Sequence, residues 1–227
     1  MFKLGTAFAT VATTLALSTL GVTVASAASA SDRLADGAIT IRASGATADG
    51  IGSGTIIARN GTTIRVLTAK HVATFGSLTI RFDDGTRVAA HLLSSMPDRD
   101  LAVVEADVPA ALAPSLHAAV VAAPRAQDAV HVWGSGLNGP AFEPGAIGSV
   151  GADLPDGAAH GRYALACNLC HEGDSGGGVF DTQGRLVGVY IGYFSGNAER
   201  ISVAESPLEA TRIARAMPFP TTVADAR

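Results

Sequence analysis

The ten residues HEGDSGGGVF (171–180) place two acids before one serine, Ser175, and three consecutive glycines after it, directly ahead of an apolar run. The hydroxyl of serine is a weak nucleophile at neutral pH, so a reactive serine needs a base and backbone N–H groups aimed at the oxygen that becomes negative. Gly173, two residues before the serine, permits a tight turn that points such groups inward. The stretch is therefore either a flexible turn or a site in which Ser175 is a nucleophile. In the second case, the N–H groups of Gly173 and Ser175 are the candidate oxyanion hole.

A base for Ser175 should come from a distant strand end, and among the six histidines His71 has the most suitable surroundings. It follows the apolar run VLTA closely and lies at the start of a segment that predicts one helical turn. A histidine base also requires an acid that fixes its tautomer. Asp100 directly precedes the apolar run LAVV, whereas Asp98 lies in a more polar turn and is expected to be solvated.

His171 lies four residues before Ser175, where it is placed to line a pocket. Together with Glu172 it begins like a zinc-protease motif, but the residue four positions after the histidine is Ser175 and not a second histidine. We therefore predict neither a metal nor a cofactor. The surroundings of the remaining histidines indicate structural roles. His91 and His131 lie in strand patterns, His117 in a Pro- and Ala-rich passage, and His160 in a Gly-rich loop.

The only two cysteines, Cys167 and Cys170, lie in CNLC just before the serine stretch. In an oxidising compartment such a pair is able to form a small disulfide. A redox C-x-x-C motif would need a βαβ setting, and a zinc site would need two further ligands. The sequence leaves the disulfide open as an alternative to two free thiols.

The first 30 residues carry one charge, Lys3, followed by an apolar stretch from Leu4 to about Val24. Two small-residue triplets fit cleavage after about residue 27 or 30, which predicts a signal peptide over 1–30 and a mature domain over 31–227. An uncleaved anchor helix is the alternative. No second apolar stretch reaches membrane length, so we expect a secreted or periplasmic protein with no membrane contact once the leader is removed.

The composition fits a mostly β protein. Hydrophobic residues make up 48% of the 227 residues, enough for a sizeable core, and 26 glycines separate many short apolar runs. Hairpin signals at Asn60-Gly61 and Asp83-Asp84-Gly85 strengthen the β assignment. The formal net charge is −4 without clusters of lysine or arginine, so we expect no nucleic acid partner.

A Pro- and Ala-rich passage, about 109–124, separates two halves of similar style. The first half, about 38–108, and the second, about 125–205, each contain a series of short strand-like runs. A capping box then predicts a helix over about 207–217. Its N-cap, N1 and N3 residues are Ser206, Pro207 and Glu209.

The segments TAKHV (68–72), DRDLAVV (98–104) and GDSGG (173–177), in this order, resemble the trypsin-like serine peptidases of the chymotrypsin fold and PA clan. The run GSGTIIARNGTTIRVLTAKHV, the valine after the histidine and the late RISVAES segment resemble the bacterial HtrA-like and glutamyl-endopeptidase-like branches, here without a PDZ domain. The resemblance covers roughly residues 50–218. It implies an all-β fold of two six-stranded antiparallel β-barrels with a short C-terminal helix. It also implies a catalytic triad in the cleft between the barrels, formed by His71, Asp100 and Ser175.

The order of the motifs separates this resemblance from the α/β-hydrolases, in which the histidine follows the serine. No histidine lies beyond His171. Two departures from animal trypsins stand out: Val72 replaces the cysteine after the histidine, and no IVGG-type start is present to pair with Asp174. Asp174 must therefore find another partner or stay near solvent.

The resemblance also implies which residues line the primary specificity pocket. An acid six residues before the serine would favour cleavage after arginine or lysine, but Leu169 is apolar, so we expect a small or apolar preference. A polar lining, and with it a glutamyl preference, stays open. The residues assigned to the pocket are Leu169, His171, Ile191, Gly192, Tyr193, Ile201, Ser202 and Val203.

These observations predict an exported, monomeric serine endopeptidase that forms an acyl-enzyme with polypeptide substrates. One alternative is a catalytically weak or inactive protein that keeps the double-barrel scaffold and binds polypeptides. A site of the same design that acts on small esters is another.

Overall fold

A computed structural model describes residues 37–45, 49–136, 139–150, 161–167, 170–196 and 199–220, with the backbone alone at 149–150, 194–196 and 199–200. The predicted signal peptide and Leu169 lie outside the described residues. No described helix has the length and apolar character needed to cross a bilayer.

The first six strands form a closed antiparallel barrel with the order β1-β2-β3-β6-β5-β4. Its interior is filled by aliphatic residues such as Ile41, Ile56 and Ile80, all fully buried. The strands are β1 (Ala38–Ser44), β2 (Asp49–Asn60), β3 (Thr63–Ala69), β4 (Ser77–Arg81), β5 (Arg87–Ser95) and β6 (Leu101–Asp107).

The second six strands form another closed antiparallel barrel, with the order β10-β11-β12-β9-β8-β7. Val130, Tyr163 and Val179 are buried in its interior. The predicted fold of two six-stranded barrels is therefore confirmed. The strands are β7 (Ala129–Gly134), β8 (Ala141–Val150), β9 (Arg162–Ala166), β10 (Gly178–Asp181), β11 (Leu186–Gly196) and β12 (Glu199–Glu205).

Strands β3 and β6 are buried on both faces and join the two barrels. Val66 and Val104 belong to the core of the first barrel, whereas Leu67 and Val103 pack in a cluster that includes Trp133 of the second barrel. Neighbouring residues of a strand point to opposite faces, so one strand supplies both layers. The ends of β3 and β6 consequently lie at the junction between the barrels.

Both predicted hairpin turns are present, and each depends on a glycine in the left-handed region. Gly61, between β2 and β3, has a φ of 58°, and Gly85, between β4 and β5, has a φ of 85°. Between the barrels the chain makes a short 3-10 turn at Ala113–Ser115, and Val121 then forms a parallel bridge with Leu186.

The C-terminal helix α2 (Leu208–Ala216) differs from its predicted start. The predicted capping box is wrong: the N-cap position is Pro207, and no side chain caps the helix. The reason is tertiary, because the N–H of Ser206 donates to the carbonyl of Gly161 as the chain leaves β12. Helix α1 is a single turn, Lys70–Ala73, directly after β3.

Arg65 on β3 anchors the end of α2 although it is fully buried. Its Nε donates to Glu105 at 2.8 Å, and its two terminal nitrogens donate to carbonyl oxygens at and beyond the end of the helix. The last carbonyls of a helix lack partners within the helix, so these bonds satisfy groups that would otherwise be orphaned. The accepting carbonyls belong to Ala214, Met217 and Pro218.

Candidate active site

His71 and Asp100 meet because β3 and β6 pair in register. Ala69 lies opposite Leu101 in the sheet, so the residues just outside these strand ends are neighbours. His71 Nδ1 lies 2.6 Å from Asp100 Oδ2, and the backbone N–H of His71 donates to Oδ1 at 2.9 Å. The backbone N–H of Lys70 donates to the carbonyl of Asp100 at 3.0 Å. These contacts assign the imidazole proton to Nδ1 and leave Nε2 as the basic nitrogen.

Half of the His71 side-chain surface is exposed, against 24% for Asp100. The imidazole therefore lies at a surface that a substrate can reach, while the carboxylate behind it is mostly covered. This arrangement suits a histidine that exchanges protons with a bound molecule.

Glu205, on β12 of the second barrel, lies behind Asp100 and is fully buried. Its Oε1 accepts from the backbone N–H of Asp100 at 3.2 Å and from Nε of Arg162 at 2.5 Å. Oε2 makes no hydrogen bond within the described residues. Burial raises the pKa of the Glu205 carboxyl above its ordinary value, against the opposing effect of Arg162. Sequence reasoning missed this residue; an acid directly after the strand-like run RISVA was the available signal.

The raised pKa of Glu205 gives a testable pH dependence. An acid whose pKa is higher in the folded state favours the folded protein when protonated, and that stability is lost as pH rises from its ordinary pKa to the raised one. A Glu205→Gln variant lacks this loss, so its Tm is expected to rise relative to that of the wild type as pH is raised from about 4, the ordinary pKa of a glutamate, towards neutral pH. The measurement is the difference in Tm across this range.

Glu209→Gln is the matched control for this experiment, because Glu209 is an acid on α2 that is about half exposed. Its Tm difference is expected to change little with pH. If the Tm of Glu205→Gln instead falls relative to that of the wild type as pH rises, the pairing of Glu205 with Arg162 outweighs the effect of burial.

Ser175 and the turn that carries His71 lie on either side of Gly52. Its carbonyl accepts from the N–H of Ser53 on β2 at 2.7 Å. A Cβ atom on Gly52 would lie 2.6 Å from Cγ1 of Val72 and 3.1 Å from the Ser175 carbonyl oxygen. Only a glycine at position 52 permits this approach, which brings the serine segment next to the residue that follows His71.

The peptide after Gly173 is held by a buried polar network across the two barrels. Ser53 Oγ donates to the carbonyl of Gly173 at 2.9 Å and lies 3.1 Å from Oγ of Ser135 at the end of β7. The backbone N–H of Ser135 donates back to Ser53 Oγ at 2.9 Å. Gly173 itself has a φ of 93°, in the region that favours glycine. Sequence reasoning missed Ser53 and Ser135, because neither lies near Ser175 in the chain.

The backbone N–H groups around Ser175 divide into two sets. Those of Asp174, Gly176 and Gly177 each donate to a backbone carbonyl. Within the described part of the chain, the N–H groups of Gly173 and Ser175 have no acceptor. Two free amides with one residue between them are an arrangement that stabilises a developing oxyanion.

Asp174 is buried, and backbone amides bind its carboxylate. This answers the question, left open by the sequence, of what the partner of Asp174 is. Its Oδ1 accepts from the backbone N–H of Gly136 at 2.8 Å, and its Oδ2 accepts from that of His171 at 2.6 Å. A Cβ atom on Gly136 would lie 2.6 Å from Oδ1. The carboxylate therefore ties the serine loop to the loop after β7, at a position where glycine is required.

Strands β11 and β12 bring together most residues assigned to the specificity pocket. In the sheet, Tyr193 lies opposite Ser202 and Gly192 opposite Val203, next to a bulge. The hydroxyl of Ser202 donates to the carbonyl of Cys167 at 3.1 Å. Ser202 and Val203 are buried, Tyr193 is exposed, and Ile191, Ile201 and His171 are half-buried.

The cysteine whose carbonyl accepts from Ser202 is part of a disulfide, because Cys167 and Cys170 are joined.

Asp98, His91 and His131 are exposed, as the sequence indicated for Asp98. Among the described residues, no group of three or more histidine, cysteine, aspartate or glutamate side chains is placed to hold a metal.

The curated proteins that this chain resembles in sequence are named as probable serine endoproteases. Proteins named probable periplasmic serine endoprotease DegP-like, from Brucella suis biovar 1 and Brucella abortus biovar 1, are 29% identical over 156 residues, which is 67% of this chain and 29% of theirs. The chain therefore spans less than a third of the length of these curated relatives.

The fold resembles solved protease structures. The HtrA-type protease AlgW with tripeptide has a TM-score of 0.71 at 24% identity, over 84% of this chain and 62% of that one. The serine endoprotease from Yersinia pestis has a TM-score of 0.65 at 24% identity, over 82% of this chain and 64% of that one. Residues 52–189 match the trypsin-like peptidase domain. Because this match covers more than half of the chain, the protein belongs to the family of the trypsin-like peptidase domain.

Proposed function

We propose that this protein is an exported serine endopeptidase that acts on polypeptides as a monomer, through a Ser175, His71 and Asp100 triad. The observation that carries the proposal is the two-point contact between His71 and Asp100, with the Ser175 segment nearby across Gly52. The free amides of Gly173 and Ser175 supply the second requirement of acyl transfer.

In this proposal Ser175 Oγ attacks the carbonyl carbon of the scissile bond while His71 Nε2 takes its proton. The bond from Nδ1–H to Asp100 holds the ring and stabilises the imidazolium that forms, and Asp100 stays ionised. The amides of Gly173 and Ser175 donate to the carbonyl oxygen as it becomes negative. His71 then gives its proton to the leaving amine, which departs and leaves an acyl-enzyme. A water that loses a proton to His71 attacks the ester carbonyl, the bond to Ser175 Oγ breaks, and His71 returns the proton to this oxygen as the acid product leaves.

Two further observations support the substrate and the compartment. The related AlgW structure carries a tripeptide, and the Brucella relatives are named as periplasmic, so a polypeptide substrate outside the cytoplasm fits both. The apolar segment within residues 1–30 is the predicted export signal.

The test is to label the mature chain, residues 31–227, with a fluorophosphonate probe and to digest a mixed peptide library with it. We expect library cleavage, and mass spectrometry of the labelled protein is expected to locate the adduct on Ser175. The control is the same protein in denaturant, which has no organised triad and is expected to stay unlabelled.

Each alternative function gives a different result. Peptide binding without cleavage or labelling would replace the peptidase with a polypeptide-binding protein. Labelling with ester hydrolysis but no peptide cleavage would restrict the same site to small esters. An adduct on any other residue would overturn the assignment of Ser175.

A further inference from the structure

A cavity of about 290 Å³ lies beside the candidate oxyanion loop, on the side of the first barrel. It contains none of the β11 and β12 residues that were assigned to the primary specificity pocket. Its lining includes Thr40, Arg42, Ile51, Arg81, Ser135 and Gly136.

The cavity borders the loop that holds the nucleophile candidate. A Cβ atom on Gly173 would lie 2.9 Å from Cα of Gly136 and 3.1 Å from Cγ2 of Ile51, and both of these residues line the cavity. A polypeptide with its scissile carbonyl at the amides of Gly173 and Ser175 therefore has part of its chain next to this space.

Two arginines reach the cavity from one face of the sheet. Arg42 on β1 lies opposite Thr79, and Thr40 lies opposite Arg81 on β4. Directly opposed residues share a face, as do residues two apart, so Arg42 and Arg81 point to the same side. Ile41, between Thr40 and Arg42, is fully buried in the barrel, which places that side outward.

Neither Arg42 nor Arg81 forms an ion pair within the described residues, whereas Arg65, Arg162 and Arg185 each pair with an acid. Arg81 also lies directly opposite Arg87 on β5, and like charges in opposed positions destabilise a sheet. A bound anion would relieve this repulsion.

We propose that Arg42 and Arg81 form a carboxylate-binding subsite that selects substrates with Asp or Glu in the leaving-group half, C-terminal to the scissile bond. The acyl half is assigned to β11 and β12, and this cavity lies against β1 and β4, which leaves it to the residues after the scissile bond. Guanidinium groups bind carboxylates through charge-assisted hydrogen bonds, and the hydroxyl of Thr40 in the same wall is a further donor. This inference rests on the proposed peptidase function.

The experiment compares two peptides that differ only by Glu or Gln in the leaving-group half, after library cleavage has given the preferred sequence. We expect kcat/KM to be about tenfold higher for the Glu peptide with the wild type, because a hydrogen bond to a charged partner contributes that order. In an Arg42→Gln, Arg81→Gln double variant the ratio is expected to fall to about one. A ratio measured within one variant cancels any general change in activity.

Arg59→Gln is the matched control, since Arg59 is an exposed arginine of the same barrel outside the cavity and its bond is to the carbonyl of Gly61. It is expected to keep the wild-type ratio. A wild-type ratio of about one, or a high ratio that survives in the double variant, overturns the subsite.

A binding arm separates this inference from the peptidase proposal. Fluorescence anisotropy measures the affinity of the mature chain for labelled Glu and Gln peptides, with Ser175→Ala in place of the wild type if the peptides are cut. Tighter binding of the Glu peptide that depends on Arg42 and Arg81, in a protein that cleaves nothing, would keep the subsite and reject the peptidase. Cleavage with no preference for the Glu peptide would keep the peptidase and reject the subsite.

Discussion

A Ser175→Ala variant is expected to lose peptide hydrolysis, with kcat lower by about 10⁶-fold than in the wild type. The substitution removes the oxygen that forms the acyl-enzyme, and neither His71 nor the amides of Gly173 and Ser175 can replace it. The variant is also expected to lose labelling by a fluorophosphonate. The measurement is kcat on the preferred peptide together with labelling yield.

The fold of this variant is expected to survive, which makes the loss interpretable. The contacts of residue 175 to Ser53 pass through its backbone carbonyl, and alanine keeps them. Ser77→Ala is the control, because Ser77 is an exposed serine at the start of β4. Unchanged hydrolysis by Ser175→Ala, with Tm and peptide affinity as in the wild type, would remove Ser175 from the mechanism.

The positions of His71, Asp100 and Ser175 were predictable because each lies next to a short apolar run. Such runs predict strands by local periodicity, and the residues at their ends are where a rigid scaffold presents side chains. The structure places His71 beside Asp100, and the serine segment beside the helical turn. Their catalytic roles stay predictions until the variants are measured.

The residues that hold these groups could not be predicted in the same way. Ser53 bonds with Ser135, which is 82 positions away, and Arg162 bonds with Glu205, which is 43 positions away. These pairs exist only after both barrels close, so no local pattern records them. A buried polar side chain needs a partner, but the sequence does not say which one.

The wrong capping box has the same cause. Ser206 and Glu209 match the local motif, but the backbone N–H of Ser206 is taken by Gly161 and helix α2 begins one residue late. Tertiary hydrogen bonds at the end of β12 override an N-cap preference of about 1 kcal/mol.

Asp174 is a different case. The sequence showed that its carboxylate needed a partner, but only the structure identifies that partner as the amides of Gly136 and His171.

Arg65→Met is expected to lower the free energy of unfolding by about 3–5 kcal/mol, the range found when one partner of a buried ion pair is removed. Methionine fills much of the space but leaves the carboxylate of Glu105 buried without its arginine. It also removes the donors to the carbonyls of Ala214, Met217 and Pro218, which loosens the end of α2. The measurement is urea unfolding of a protein of residues 31–227.

Two further variants separate the ion pair from the helix anchor. Adding Glu105→Leu to Arg65→Met removes the unpaired charge, so part of the stability is expected to return, while the carbonyls at the end of α2 still lack donors. Arg59→Met, at an exposed arginine of the same barrel, is expected to change the free energy of unfolding by less than about 0.5 kcal/mol. If Arg65→Met lowers the free energy of unfolding by no more than this control does, the buried ion pair contributes as little as a surface pair. Helix α2 would then be held by its apolar contacts, in the cluster where Ala210 and Ala214 pack with Leu67 and Val103.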